Sequence, residues 1–189
     1  MKARARRLAE TRQRITEAAV RLHETVGPAR TTVSEVARLA GVQRMTVYNH
    51  FPSDVELLDA CSGHWLAQNP PPDPAAWTAV ADPQERLLTA LRQLYAWYRA
   101  GRDMMGNSLR DEPLVPGLAA IMAAKWWPYV EAVDAALGEG LLDGATRPAS
   151  VRAALRLAVA FPTWRTLADA GLDDAAAAAL AAAFVAVAR

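Results

Sequence analysis

Cysteine, histidine and long apolar runs are scarce in this sequence. One cysteine, Cys61, among 189 residues excludes an intramolecular disulfide and a multi-cysteine metal site, and favours a small buried side chain on a helix. The histidines at positions 23, 50 and 64 share no metal-ligand spacing. The longest apolar run, residues 175–188, is alanine-rich and too short to span a bilayer. We therefore expect no metal, no cofactor and no membrane partner.

Strand-like alternation is also scarce. No segment keeps a two-residue period of polar and apolar residues over a useful length, whereas apolar residues recur at helical spacing along most of the chain. The sequence therefore predicts an all-α fold.

The net charge is only +1, but the charges are distributed unevenly. Residues 1–53 hold ten Lys and Arg against four Asp and Glu, a balance of +6, and residues 54–189 hold eleven against sixteen, a balance of −5. A basic N-terminal part on an acidic body is typical of a nucleic-acid-binding protein. Two interpretations stay open for Arg4, Arg6 and Arg7: a flexible arm that reaches phosphates or the minor groove, or a solvated basic tail.

Residues 31–51 have the pattern of two short helices joined by a tight turn. Thr32 and Glu35 have the spacing of a capping box at the start of the first. Gly41 stands where that helix must end in a left-handed conformation, which glycine adopts without a Cβ clash. The apolar face of this helix comprises Val33, Val36, Ala37 and Ala40.

The second short helix separates packing residues from polar ones. Val47 and Phe51 fall on one side, and we assign them to packing. The polar side chains left to face outward are Arg44, Thr46, Asn49 and His50. This is the pattern of a helix-turn-helix whose second helix lies in a major groove of DNA.

Residues 40–53, Ala-Gly-Val-x-Arg-x-Thr-Val-Tyr-x-His-Phe-Pro-Ser, resemble the recognition helix of TetR-type transcriptional regulators. Upstream, the apolar positions of the first helix, Gly27 and residues 31–33 are similar to that family as well, so the resemblance covers about the first 60 residues. It implies a homodimer that binds a double-stranded DNA operator and is released by a small molecule bound in its C-terminal domain. The basic N-terminus has no apolar segment behind it, so we expect no signal peptide and a cytoplasmic location.

The resemblance also implies which residues contact DNA. Arg44 is the best candidate to read guanine, because its fork fits O6 and N7, and Asn49 suits adenine. Family contacts with phosphates are matched at Thr32, Tyr48 and His50. Ordinary surface roles stay open for Tyr48 and His50. The full predicted set is Thr32, Gln43, Arg44, Met45, Thr46, Tyr48, Asn49 and His50.

One position departs from the family pattern. Asp54 stands where the family commonly has a lysine that reaches a phosphate from the start of the fourth helix. An acidic side chain suits a helix N-terminus but repels DNA.

We divide the chain into a helix-turn-helix domain at residues 1–53, a connecting helix at 54–68 and an effector-binding and dimerisation domain at 69–189. The first helix is expected over residues 8–25 and the last two over 149–170 and 173–187. Pro128 should kink or split the helix that contains it. The buried stripe of the first helix is expected to comprise Ile15, Ala18, Ala19, Leu22 and Val26, and Ser53 and Glu56 have the spacing of a second capping box.

Aromatic side chains are concentrated in the C-terminal helices. At helical spacing such residues are ordinarily core, but together with methionine they also suit a pocket for an apolar or aromatic molecule. We predict that this pocket is lined by Tyr98, Met105, Trp126, Trp127, Phe161 and Trp164.

The apolar faces of the last two helices exceed what one small domain covers. We therefore predict an isologous dimer through a four-helix bundle built from these helices.

An alternative to a ligand-responsive regulator is a ligand-independent architectural DNA-binding protein, which would lack an internal cavity. Enzyme signals are poor: His23-Glu24 begins like a zinc-protease motif, but Gly27 stands where the second histidine must be.

Overall fold

The computed structural model describes residues 2–189, which contain helices and no strand, so the predicted all-α fold is confirmed. A single 3-10 turn lies at Pro28–Arg30. The helices are α1 (Lys2–Thr25), α2 (Val33–Ala40), α3 (Arg44–His50), α4 (Asp54–Gln68), α5 (Pro74–Trp77), α6 (Pro83–Ala100), α7 (Arg102–Asp111), α8 (Leu118–Lys125), α9 (Trp127–Leu141), α10 (Pro148–Val159), α11 (Phe161–Asp169) and α12 (Asp174–Ala188).

The chain forms two compact units. The first unit contains the chain up to Pro70 together with Arg102–Lys125, and the second unit contains Pro71–Gly101 and Trp126–Arg189. Helices α7 and α8 therefore pack with α1 to α4, although they follow α6 in sequence. The functional division at residues 53 and 68 stays a prediction.

The first unit is built on the middle of α1. Ile15, Ala18 and Ala19 are buried there, as the apolar spacing predicted. Leu22 is only half-buried and Val26 is exposed, and Thr16 and His23 are buried instead. The predicted stripe is wrong at Val26, because α1 ends at Thr25 and Val26 lies outside the helix, whereas Leu22 still packs against the core.

Helix α1 begins at Lys2, six residues before the predicted start at Leu8. Arg4, Arg6 and Arg7 therefore lie in a helix and do not form a flexible arm. The segment consists of Lys, Ala, Arg, Leu and Glu, which all have high helix propensity, and it propagates from a helix already anchored further along. Arg6 also pairs with Glu10 one turn later, at 2.7 Å.

Two prolines divide helices in the second part of the chain. Pro128 separates α8 from α9, which confirms the predicted split. Pro162 breaks the helix predicted at 149–170 into α10 and α11, with Ala160 in extended backbone between them. The break frees main-chain carbonyls, and two buried phenols donate to them: Tyr95 to Ala158 at 2.6 Å and Tyr98 to Val159 at 2.7 Å. Tertiary hydrogen bonds thus replace the main-chain donors that these carbonyls lose at the break.

Candidate nucleic-acid interface

Helix α2 is fixed at both ends by local sequence. The Thr32 hydroxyl accepts from the Glu35 N–H while the Glu35 carboxylate accepts from the Thr32 N–H, so the predicted capping box is formed. The hydrogen bond from the Thr32 hydroxyl holds the pKa of Glu35 below its usual value. At the other end Gly41 has φ 67° and ψ 40°, the left-handed conformation that its position required. The capping box fixes where α2 begins, and the turn at Gly41 fixes where it ends and the chain turns towards α3.

Helix α3 is a two-turn helix with one buried face. Val47, and Phe51 directly after the end of α3, are each 1% exposed, which confirms their packing role. Six of the eight predicted DNA-contacting residues belong to α3, and Gln43 immediately precedes it. Gln43, Arg44, Met45 and Asn49 are exposed, while Thr46, Tyr48 and His50 are half-buried, as is usual for side chains at the edge of a packed face; Thr32, at the start of α2, is exposed.

Arg44 is tied to Tyr48, one turn later on α3. The guanidinium donates to the phenol oxygen at 3.1 Å, and its central carbon lies 5.6 Å from the centre of the ring. The phenol oxygen keeps acceptor capacity and the guanidinium keeps further donors. The pair therefore presents an arginine fork whose side chain is already partly ordered at the surface of the helix.

Arg12, which the sequence did not single out, contacts the end of α3. Its guanidinium donates to the main-chain carbonyl of His50, the last residue of α3, and lies 3.9 Å above the ring of Phe51. The two partners are 38 and 39 positions away in sequence, so no local pattern could reveal them.

Helix α7 holds the turn that leads into α2. Asn107 donates to the carbonyls of His23 and Glu24 at 2.9 and 2.7 Å, and thereby satisfies orphan carbonyls near the end of α1. The buried carboxylate of Asp111 accepts from the Ala29 N–H at 2.9 Å and from Arg110 at 2.7 Å, so the pKa of Asp111 is lowered, chiefly by Arg110. These polar residues were not identified from sequence, because only the fold brings α7 to α1.

His23 and Cys61 form a buried polar contact below the turn. The Cys61 thiol sulfur lies 3.2 Å from His23 Nδ1. Burial lowers the pKa of His23 to about 4 and raises the pKa of Cys61 to about 12, so both are neutral near pH 7. Cys61 is 2% exposed, which confirms it as a small buried side chain.

An open cleft of about 500 Å³ lies beside α3 in the first unit. Three predicted DNA-contacting residues line it, Thr32, Arg44 and Tyr48, and so does Asp54. A carboxylate therefore stands among the side chains expected to meet phosphates. The capping box predicted at the start of α4 is only half formed. The Ser53 hydroxyl accepts from the Glu56 N–H at 3.2 Å, as predicted, but the Glu56 carboxylate accepts from the Ser53 hydroxyl rather than from the Ser53 main-chain N–H.

The predicted ligand-binding residues separate into three groups. Tyr98, Phe161 and Trp164 are buried and mutually in contact, with ring centres 5.3–5.9 Å apart. Trp126 stacks on Trp97, which contacts Tyr98 in turn. Trp127 is 39% exposed, and Met105 belongs to the first unit. Burial raises the pKa of the Tyr98 phenol, so this cluster presents a neutral aromatic surface.

Within residues 2–189, no group of three His, Cys, Asp or Glu side chains converges as metal ligands would. No helix in that range is both long enough and apolar enough to cross a membrane.

A short helix with exposed Arg, Asn and Met, held by a capped partner helix and a left-handed glycine turn, defines a helix-turn-helix DNA-binding module. Residues 15–61 match the family model for bacterial regulatory proteins of the tetR family. This part of the chain is therefore a TetR-type DNA-binding domain, as the sequence resemblance predicted.

The relatives agree with that assignment. The regulator TtgR of Pseudomonas putida is 49% identical over 51 residues, which are 27% of this chain and 24% of TtgR, so the chain matches only about a quarter of that relative's length. A Clostridium perfringens protein assigned to regulation of fatty acid metabolism has a TM-score of 0.68 at 17% identity, over 93% of this chain and 98% of its own. The transcriptional regulator FadR of Bacillus subtilis, solved with stearoyl-CoA, has a TM-score of 0.61 at 18% identity, over 93% and 96%. The structural matches establish the fold over nearly the whole chain, and all three relatives are regulators.

Proposed function

We propose that this protein is a transcriptional repressor that binds a palindromic operator as a homodimer and leaves it when a small apolar or aromatic molecule binds. The observation that carries the DNA-binding part is α3: its exposed Arg44, Met45 and Asn49 stand on a helix whose opposite face is buried. Selection of bound sites from random duplex DNA tests it. A two-fold repeated consensus supports the proposal, and recovery of no enriched sequence rejects it.

The dimer part rests on an apolar surface that α10 and α12 leave uncovered. Val151, Leu155 and Val159 of α10 are buried within the chain. Large apolar side chains on other positions of the same two helices remain exposed, namely Leu157, Leu180, Phe184 and Val187. An exposed apolar face of this kind is typical of a protein interface, and a two-fold dimer buries the same face of both copies.

The ligand part rests on the aromatic cluster around Tyr98. Its neutral rings suit an apolar or aromatic molecule, and the related FadR structure holds stearoyl-CoA. We propose Tyr98, Trp126, Phe161 and Trp164 as its core, with Met105 and Trp127 at positions that a binding experiment must test separately. Tryptophan fluorescence should be quenched when this site fills, so stearoyl-CoA and hydrophobic aromatic cations are titrated as probes.

The close packing of these rings favours a second candidate, a DNA-binding protein that responds to no ligand. Tyr98 and Trp164 are 3% and 0% exposed, so their faces are already covered by protein. Thermodynamic linkage distinguishes the two candidates. If a molecule is a true effector, operator DNA lowers the affinity of the protein for it by the same factor by which the molecule lowers the affinity for the operator, commonly about 1–3 kcal/mol. A probe that quenches fluorescence equally with and without operator supports the ligand-independent protein.

A further inference from the structure

Helix α3 has few means of holding its own position. It contains seven residues, so its intrinsic stability is marginal. Among the described residues, no side chain caps its N-terminus, where Gln43 is the N-cap residue. At its C-terminus the main-chain N–H of Phe51 bonds to Val47, and the His50 carbonyl is left without a partner inside the helix. The orientation of α3 must therefore come from tertiary contacts.

Arg12 supplies such a contact by two separate interactions. One guanidinium N–H donates to the His50 carbonyl. The central carbon of the guanidinium also lies over Phe51, 3.9 Å from the centre of the ring. Phe51 is itself buried in the core of the first unit. A cation at the C-terminal end of a helix is also favoured by the helix dipole.

Helix α1 gives this arginine a rigid base. Ile15, Ala18 and Ala19, in the turns after Arg12, are buried against the core. The Thr16 hydroxyl donates to the Arg12 carbonyl at 3.0 Å. The contact therefore joins the recognition helix to the best-packed part of the unit, and it uses donors that would otherwise be available to phosphates.

We propose that Arg12 is a positioning residue for DNA reading: it sets the tilt of α3 in the major groove, and it does not bind the operator itself. The inference rests on the proposed DNA-binding function and concerns specificity. A misplaced helix loses contacts with base edges, which read the sequence, whereas contacts with phosphates are available on every duplex because they carry no sequence information. Loss of Arg12 should therefore reduce the preference for operator over other DNA.

The test compares Arg12→Gln with Arg14→Gln, which removes another exposed arginine two residues away on α1. Each full-length variant is titrated with the selected operator and with a scrambled duplex at several salt concentrations. We expect Arg12→Gln to weaken operator binding about tenfold, the scale of one poorly made base contact. Binding to the scrambled duplex and the salt slope should match those of Arg14→Gln.

A rescue variant separates positioning from a general loss of folding. Arg12→Lys keeps a cation and an N–H donor for the His50 carbonyl, so it should recover part of the operator preference. Hydrogen exchange of residues 44–51 should be faster in Arg12→Gln than in Arg14→Gln, with Arg12→Lys between them.

Two results would overturn the inference while the proposed function stands. Equal weakening of operator and scrambled DNA, with a salt slope lower by about 0.9 for each lost contact, would make Arg12 a phosphate ligand. Unchanged operator preference in Arg12→Gln would show that α3 needs no such anchor. Failure of the unaltered protein to bind any selected duplex is a different result, because it rejects the DNA-binding function and the inference together.

Discussion

At the scale of single residues, we propose that the exposed groups of α3 divide DNA reading between them. Arg44 has the only guanidinium on this helix, and its link to Tyr48 orders it without using all of its donors. Met45, 66% exposed, offers an apolar surface suited to a thymine methyl group.

Replacing Arg44 with alanine should relax base preference at one symmetric pair of operator positions. The expected cost is about 1–3 kcal/mol for each lost base contact. Selection of bound sites from random DNA measures both effects, with Arg21→Ala, an exposed arginine of α1, as the control. An unchanged consensus would show that Arg44 does not read a base.

Replacing Asp54 with lysine should tighten DNA binding, most strongly at low salt, because repulsion is removed and a phosphate partner is added. Asp143→Lys changes the net charge equally at an exposed position in the second unit and should have little effect. Affinities measured across a salt titration compare the two. Identical curves for Asp54→Lys and the unaltered chain would place Asp54 away from the duplex.

At the scale of elements, the first unit depends on the junction between α1 and α7. Gly27 has φ 92°, and a Cβ there would overlap the side chains of Arg110 and Asp111. Gly171 has a similar φ of 91° but has open space around it. Gly27, with ψ 160°, therefore combines a backbone conformation that is essentially restricted to glycine with the steric requirement of the α7 contact.

Gly171→Ala should lower the free energy of unfolding by about 1–2 kcal/mol, the cost of a left-handed alanine. Gly27→Ala should cost more, since the added methyl group also displaces the Arg110–Asp111 pair. Urea denaturation of both variants gives the comparison. Equal losses would mean that α7 yields to the methyl group at no cost.

Acid should destabilise the first unit through His23. Its pKa of about 4 lies below the usual 6.5, so the unfolded chain binds the proton more readily and stability falls as the pH drops from about 6.5 to 4. The nearby carboxylate of Asp111 opposes this shift only partly. A pKa lowered from 6.5 to about 4 corresponds to a contribution of about 3 kcal/mol.

Denaturation of His23→Gln at pH 7 and pH 4.5 isolates this effect. The variant should lose less stability between the two pH values than the unaltered chain does. His64→Gln, which removes a half-buried histidine of α4, is the control variant. A His23→Gln variant with the same pH dependence as the unaltered chain would contradict the assignment.

At the scale of the whole molecule, we propose that the apolar surface of α10 and α12 determines the assembly. Phe184 is 45% exposed on α12, and a charge there should dissociate a dimer built on this face. Sedimentation at micromolar concentration should therefore give a dimer for the unaltered chain and a monomer for Phe184→Glu. Leu114→Glu, at a 68% exposed leucine in the first unit, should remain dimeric. A monomeric unaltered chain would refute the proposed dimer.

The sequence by itself determined the features whose causes are local. The capping box of Thr32, the left-handed turn at Gly41 and the split at Pro128 depend on neighbouring residues, and all three were predicted correctly. The two faces of α3 follow from helical periodicity, and the resemblance to the tetR family model followed from the same residues. Only the tertiary structure decided the rest. The contacts of Arg12 with α3 and of α7 with α1 join residues about 40 to 80 positions apart, and the break at Pro162 became stable because two distant tyrosines donate to the carbonyls it frees. Such long-range polar partners leave no periodic trace in sequence, because each needs a single donor at a single place in the fold.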